Sequence, residues 1–143
     1  LLMAASDGRG FVARVDDLLA ETRKGRQVVR PRAGARLRVV HPIPADADHV
    51  AAIGENRKMV IFALAELPEM ASGQGVQLQR YRQGGLADAI AFRLDQGLSW
   101  AMGGESRRTR TETDLVNWQT VRGTAGRLPP TGFPRENRFS PPR

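Results

Sequence analysis

The chain has 143 residues, with 22 Lys and Arg against 15 Asp and Glu, a net charge of +7 and a pI near 11.3. That length suits one ordinary domain, and the positive balance favours a polyanionic partner, nucleic acid foremost. The lack of cysteine excludes disulfides, thiolate metal sites and cysteine nucleophiles and suits a reducing cytoplasm.

The chain opens in an apolar run, Leu1 to Ala5, too short for a membrane span or the core of a signal peptide. A start inside such a run, without an initiator methionine, is expected of a piece of a longer protein. Leu1 to Ala5 reads as a strand, Ser6 to Arg9 as a tight turn, and Phe11 to Val15 as the returning strand. Asp7-Gly8 between apolar runs is a hairpin signal, because glycine takes positive φ without steric cost. Asp16 to Thr22 reads as a short helical turn and Arg23 to Arg26 as a basic turn. Gln27 to Arg30 and Ala35 to Val40 are further strands, followed by the proline-punctuated loop His41 to Pro44.

Val50 to Ile53 and Met59 to Leu64 form a second hairpin. Met59, Ile61 and Ala63 lie on one face of the latter strand, and Val60, Phe62 and Leu64 on the other. A strand apolar on both faces is buried on both sides. Gly75 to Tyr81 and Ala87 to Leu94 are the next strands. Leu98 to Met102 pairs with Arg108 to Thr113 in a third hairpin whose second strand, threonine on one face and charge on the other, suits an exposed end of an array. From Leu128 on, five prolines among arginines predict a disordered basic tail over 129–143.

The three hairpins share a plan. An opening acid (Asp7, Glu55, Glu105), a strand, an acid-leucine step (Asp17-Leu18, Glu66-Leu67, Asp114-Leu115) and a closing glycine (Gly25, Gly73, Gly123) recur in order. From acid to glycine the offset is 18 residues each time, and the units start 48 and then 50 residues apart. A period of roughly 40 to 50 residues with several strands per unit marks a propeller-like, all-β array.

The stretches Leu2 to Val12 and Leu67 to Gly75, with Gly84 to Asp88 in support, resemble blades of the C-terminal domain of the topoisomerase IV A-subunit family. The resemblance covers residues 1–128 and implies a β-pinwheel in which blades exchange strands. About three blades of a larger disc would be present, near 1–40, 41–85 and 86–128. It also implies binding of double-stranded DNA along a basic rim, in partnership with the ATPase subunit, and with the remainder of the A-subunit polypeptide. Mg²⁺ and ATP would be used elsewhere in that assembly, which would act on the nucleoid in the cytoplasm. The related gyrase protein carries a Gln-Arg-Arg-Gly-Gly-type box for wrapping DNA. Gln79 to Gly85 echoes that box in composition but is interrupted, which favours topoisomerase IV. A gyrase-type wrapping domain and a propeller-like protein-interaction module are the alternatives.

The candidate phosphate contacts are the cations of the turns. Arg23, Lys24 and Arg26 flank the first closing glycine. Arg57 and Lys58 occupy the second opening turn, Arg107 and Arg108 the third, with Arg110 just beyond. Arg122 and Arg127 flank the last glycine turn. Such contacts hold a phosphate backbone without reading bases. The charge is uneven: +5 over 1–45, −2 over 46–95 and +4 over 96–143, so grip is expected in the outer units. No catalytic set is predicted. Tyr81 reads as a packing residue, His41 and His49 as loop residues, Asp46 and Asp48 as a solvated pair, and Trp100 and Trp118 as core or blade contacts. Gly73-Gln74-Gly75 lacks the lysine and the helix of a phosphate loop.

Overall fold

Three antiparallel hairpins form where alternation predicts them, in a computed structural model that describes residues 1–25, 28–101 and 108–139. In chain order the elements are β1 (Leu2–Ala5), β2 (Arg9–Val12), α1 (Val15–Arg23), β3 (Leu37–His41), β4 (His49–Gly54), β5 (Met59–Ala63), β6 (Val76–Gln77), β7 (Leu86–Phe92), β8 (Leu98–Ala101) and β9 (Thr109–Glu112). The hairpins are β1–β2, β4–β5 and β8–β9. The helical turn expected over Asp16 to Thr22 extends to nine residues. Asp16 and Asp17 in its first turn and Arg23 in its last complement the helix dipole.

Register shows that the repeat is more regular than its acids suggest. The first pair centres on position 7, between Leu2 and Val12. The second centres on 56, between Ile53 and Met59. The third centres on 105, between Leu98 and Glu112. Successive turns therefore lie 49 residues apart, and the equivalent of Asp7 is Asn56 rather than Glu55. The hydrogen bonds agree. Asp7 Oδ1 accepts from Arg9 N at 3.1 Å, and Asn56 Oδ1 accepts from Lys58 N at 3.0 Å. Gly8 (φ 90°) and Arg57 (φ 66°) both take the left-handed conformation that this turn needs. The third turn, including Glu105 to Arg107, lies outside the described residues.

Sheet boundaries cut across the contiguous blades expected from sequence. The first sheet runs β3-β1-β2-β6, and the second β5-β4-β7. β6 follows the second hairpin yet pairs with β2 of the first. β7, assigned by sequence to the third blade, pairs with β4 along its length. The same exchange recurs one unit on, where Arg127 bridges to Met59 of the second hairpin. At each crossing the incoming chain passes directly over hairpin backbone. A Cβ on Gly75 would collide with the carbonyl of Gly10, and one on Gly126 with the carbonyl of Met59. Of the strand expected over Gln27 to Arg30, Gln27 lies outside the described residues and Val29 makes a single bridge, while Gly75 to Tyr81 gives only the two-residue strand β6, where the chain crosses between sheets.

The sheets stack with a core on each side of the second. Val50, Ala52, Val60 and Phe62 face Leu2, Ala4 and Val39 of the first sheet. Ala51, Ile53, Met59 and Ile61 face Leu98 and Trp100 of the third. The two-sided burial predicted for Met59 to Leu64 is thus met from Met59 through Phe62. β9 is mostly exposed, as expected of an end strand.

The tail is a correction. Residues 129–139 are packed. Phe133 and Phe139 join the second core, and Phe133 contacts both Trp100 and Phe139 with ring centroids 5.3 Å apart. Ala101 N donates to Phe139 O at 3.0 Å, and Phe139 N donates to the buried Asp88 at 2.9 Å. Two phenylalanines among the prolines give this stretch a face to bury, which its overall composition conceals. Residues 140–143 lie outside the described residues.

Candidate nucleic-acid interface

The predicted cations divide into two kinds. Arg57 is structural. Its guanidinium donates to Phe133 O at 3.1 Å, Pro134 O at 2.8 Å and Asn137 Oδ1 at 3.0 Å, tying the second turn to the packed C-terminal strap. Arg122 is held at a strand crossing, with Nη1 donating to Gln77 O at 2.7 Å and its backbone N–H to Glu66 Oε1 at 3.1 Å. Arg110, exposed, lies over the Trp100 ring at 5.9 Å.

Arg23 and Lys24 are exposed at the end of α1, and Lys58, Arg108 and Arg127 are exposed in the later turns. Arg26 and Arg107 lie outside the described residues.

A further group of cations comes from a segment that the turn-based reading passed over. Arg30, Arg32 and Arg36 precede β3 and Arg38 lies in it, and Arg32, Arg36 and Arg38 line a groove of about 790 Å³. Ser6 and Asp7 of the first turn and Glu55, Gly84 and Gly85 of the second blade also line it. The available signal was an absence: from Thr22 to Ala45 there are seven basic residues and no acidic one.

The box-like stretch Gln79 to Gly85 is the repeat-equivalent of this loop. Ser6 N donates to Arg36 O at 2.7 Å, and Glu55 N to Gly85 O at 2.8 Å. Ser6 Oγ accepts from Arg36 N at 3.1 Å, and Glu55 Oε1 from Gly85 N at 2.9 Å. Gln79 is wholly buried and donates to Lys58 O and Ala125 O, so it locks the crossing, while Arg80 and Arg82 are exposed. Tyr81 packs where a Cβ on Gly8 or Gly54 would fall 2.5 or 2.8 Å from its ring. Burial first, then the Asp7 and Glu55 carboxylates, hold its hydroxyl protonated well above the ordinary tyrosine range.

The histidines do structural work. His41 on β3 meets Asp88 on β7 at 3.2 Å, joining the first two sheets. His49 meets Asp48 at 2.9 Å, and Asp48 also accepts from Leu94 N at 2.8 Å. The hydrogen bond with His49, then that with Leu94, hold the Asp48 carboxyl below the usual range. Among the described residues no cluster of three or more His, Asp or Glu could hold a metal ion, and no helix is long and apolar enough to cross a membrane.

No protein-family model matches the chain. The DNA topoisomerase 4 A-subunit protein from Rickettsia bellii is 40% identical over 140 residues, 98% of this chain and 18% of that protein. The chain matches the C-terminal part of the topoisomerase IV A-subunit family. It spans about a fifth of the length of such relatives. The solved C-terminal domain of ParC from E. coli superposes with a TM-score of 0.70 at 21% identity, covering 94% of this chain and 56% of that one. The DNA gyrase A C-terminal domain gives a TM-score of 0.60 at 13% identity, over 87% of this chain and 41% of that one. These likenesses establish the β-pinwheel fold shared with topoisomerase IV and gyrase C-terminal domains. The sequence match favours topoisomerase IV over the gyrase alternative.

Proposed function

We propose that this chain is the DNA-binding C-terminal region of a topoisomerase IV A-subunit polypeptide, holding a DNA segment and presenting it for strand passage. The observation that carries this reading is the match to the topoisomerase IV A-subunit family along nearly the whole chain. A surface rich in exposed arginine supports it. The mechanism is electrostatic: guanidinium and ammonium groups replace the counterions condensed on phosphates, without reading bases. DNA cleavage and ATP hydrolysis, with Mg²⁺, are assigned to the remainder of the A-subunit polypeptide and to a separate ATPase subunit. Decatenation and supercoil relaxation on the nucleoid in the cytoplasm would be the joint result.

Titration of the full chain with fluorescent duplex DNA tests the binding. The association constant should fall with a log–log salt slope of about −0.9 per phosphate contacted, so by orders of magnitude between about 50 and 200 mM salt. Affinity unchanged by salt, or no binding at low salt, would sink the proposal.

A further inference from the structure

The loop before β3 combines a fixed backbone with uncommitted charge. Arg30 N donates to Gly73 O at 2.9 Å, Ala35 N to Arg32 O at 2.9 Å, and Ser6 N to Arg36 O at 2.7 Å. Two bonds to neighbouring segments and one turn within the loop hold the main chain. Yet among the described residues no hydrogen bond or ion pair engages the guanidinium groups of Arg32, Arg36 or Arg38. The two carboxylates that also line the groove each take one backbone donor. Asp7 accepts from Arg9 N, and Glu55 from Gly85 N. Three arginines thus outnumber the two carboxylates of the groove and leave its lining net positive.

We propose that this groove between the first two sheets seats the sugar-phosphate backbone of duplex DNA, with Arg32, Arg36 and Arg38 as the phosphate ligands. The inference rests on the DNA-binding reading and places the grip in a blade-to-blade groove instead of at the hairpin turns. Of the turn cations, Arg57 commits both terminal nitrogens to the strap, and Arg122 holds the Gln77 carbonyl through Nη1. A guanidinium presents a planar fork of donors that matches a phosphate. A space of about 790 Å³ is much larger than one phosphate group and suits a run of backbone. A backbone loop anchored before the ligand arrives loses little conformational entropy on binding. The groove wall belongs to both sheets through Ser6 and Gly85, so DNA seated there bears on the joint between two blades.

The test titrates duplex DNA into the full chain and three variants, with circular dichroism to verify folding. Replacing Arg32, Arg36 and Arg38 together by Gln should flatten the log–log salt slope by about 2.7, or 0.9 per lost contact, and weaken binding on the order of tenfold or more at moderate salt. Replacing the same three by Lys should keep most of the slope but lose several-fold in affinity, because charge remains while the fork is gone. Arg57→Gln with Arg122→Gln should lower thermal stability and leave the slope of the folded fraction unchanged. A wild-type chain that does not bind duplex DNA at low salt overturns the DNA-binding reading itself. Salt-dependent wild-type binding with an unchanged slope in the triple Gln variant overturns the groove alone.

Discussion

Arg57 occupies the position that Gly8 holds one blade earlier, and the two residues meet the same turn by different means. Glycine takes positive φ freely, whereas a left-handed arginine costs about 1–2 kcal/mol. Arg57 offsets that cost with its three hydrogen bonds to the strap, two of them to backbone carbonyls. Arg57→Ala keeps the strained φ and leaves those acceptors unmet, so unfolding in urea should show a loss of about 1.5–3 kcal/mol. Arg57→Lys should not restore it, since a compact ammonium lacks the planar fork by which two nitrogens reach Phe133 O, Pro134 O and Asn137 Oδ1 together. A wild-type urea midpoint in Arg57→Ala would show that the strap holds without this side chain. None of this was legible in the sequence, where an arginine in a polar turn reads as a surface cation. Its partners lie 76 to 80 residues away and are mostly main-chain oxygens, which leave no mark on residue type. Arg122 misleads for the same reason, since its principal acceptor is the carbonyl of Gln77.

Hairpins were legible because alternation and turn chemistry are local; exchange between blades followed only from the family resemblance, and which strands pair was not legible, because their partners lie far along the chain. β4 and β5 follow their predicted bounds within about a residue, and even their two-sided burial could be read from residue order. β6 could not be bounded: its two residues pair with β2, whose turn lies about 70 residues earlier. The strap over 129–139 was hidden by composition, since proline and arginine outweigh two phenylalanines in any count. In its packing those two count most. Each buries nearly its whole side chain beside Trp100, which is 1% exposed. Phe139→Ala should therefore cost about 3–5 kcal/mol and shift Trp100 emission to the red as water reaches the ring. A chain ending at Leu128 should lose at least as much. If that shortened chain melted like the whole, the strap would be a passenger on the third sheet.

A molecule whose sheets borrow strands from one another should unfold as one body. The first sheet needs β6, which arrives after the second hairpin is complete. The second needs Met59 bridged by Arg127, which arrives after the third. Repeat arrays stacked only through side chains can melt unit by unit, but here opening one unit strips backbone partners from its neighbour. Far-UV circular dichroism and Trp100 fluorescence, read in a Trp118→Phe background, should give coincident urea transitions. The crossing glycines supply the sharper probe. Gly75 has φ 80° and no space for a Cβ against the Gly10 carbonyl, so Gly75→Ala should destabilise by about 1–3 kcal/mol or more. Although the substitution lies between the first two sheets, it should move both signals together, including that of Trp100 in the third. Separation of the curves, with Trp100 unaffected by Gly75→Ala, would mean that the exchanged strands add contacts without coupling the blades.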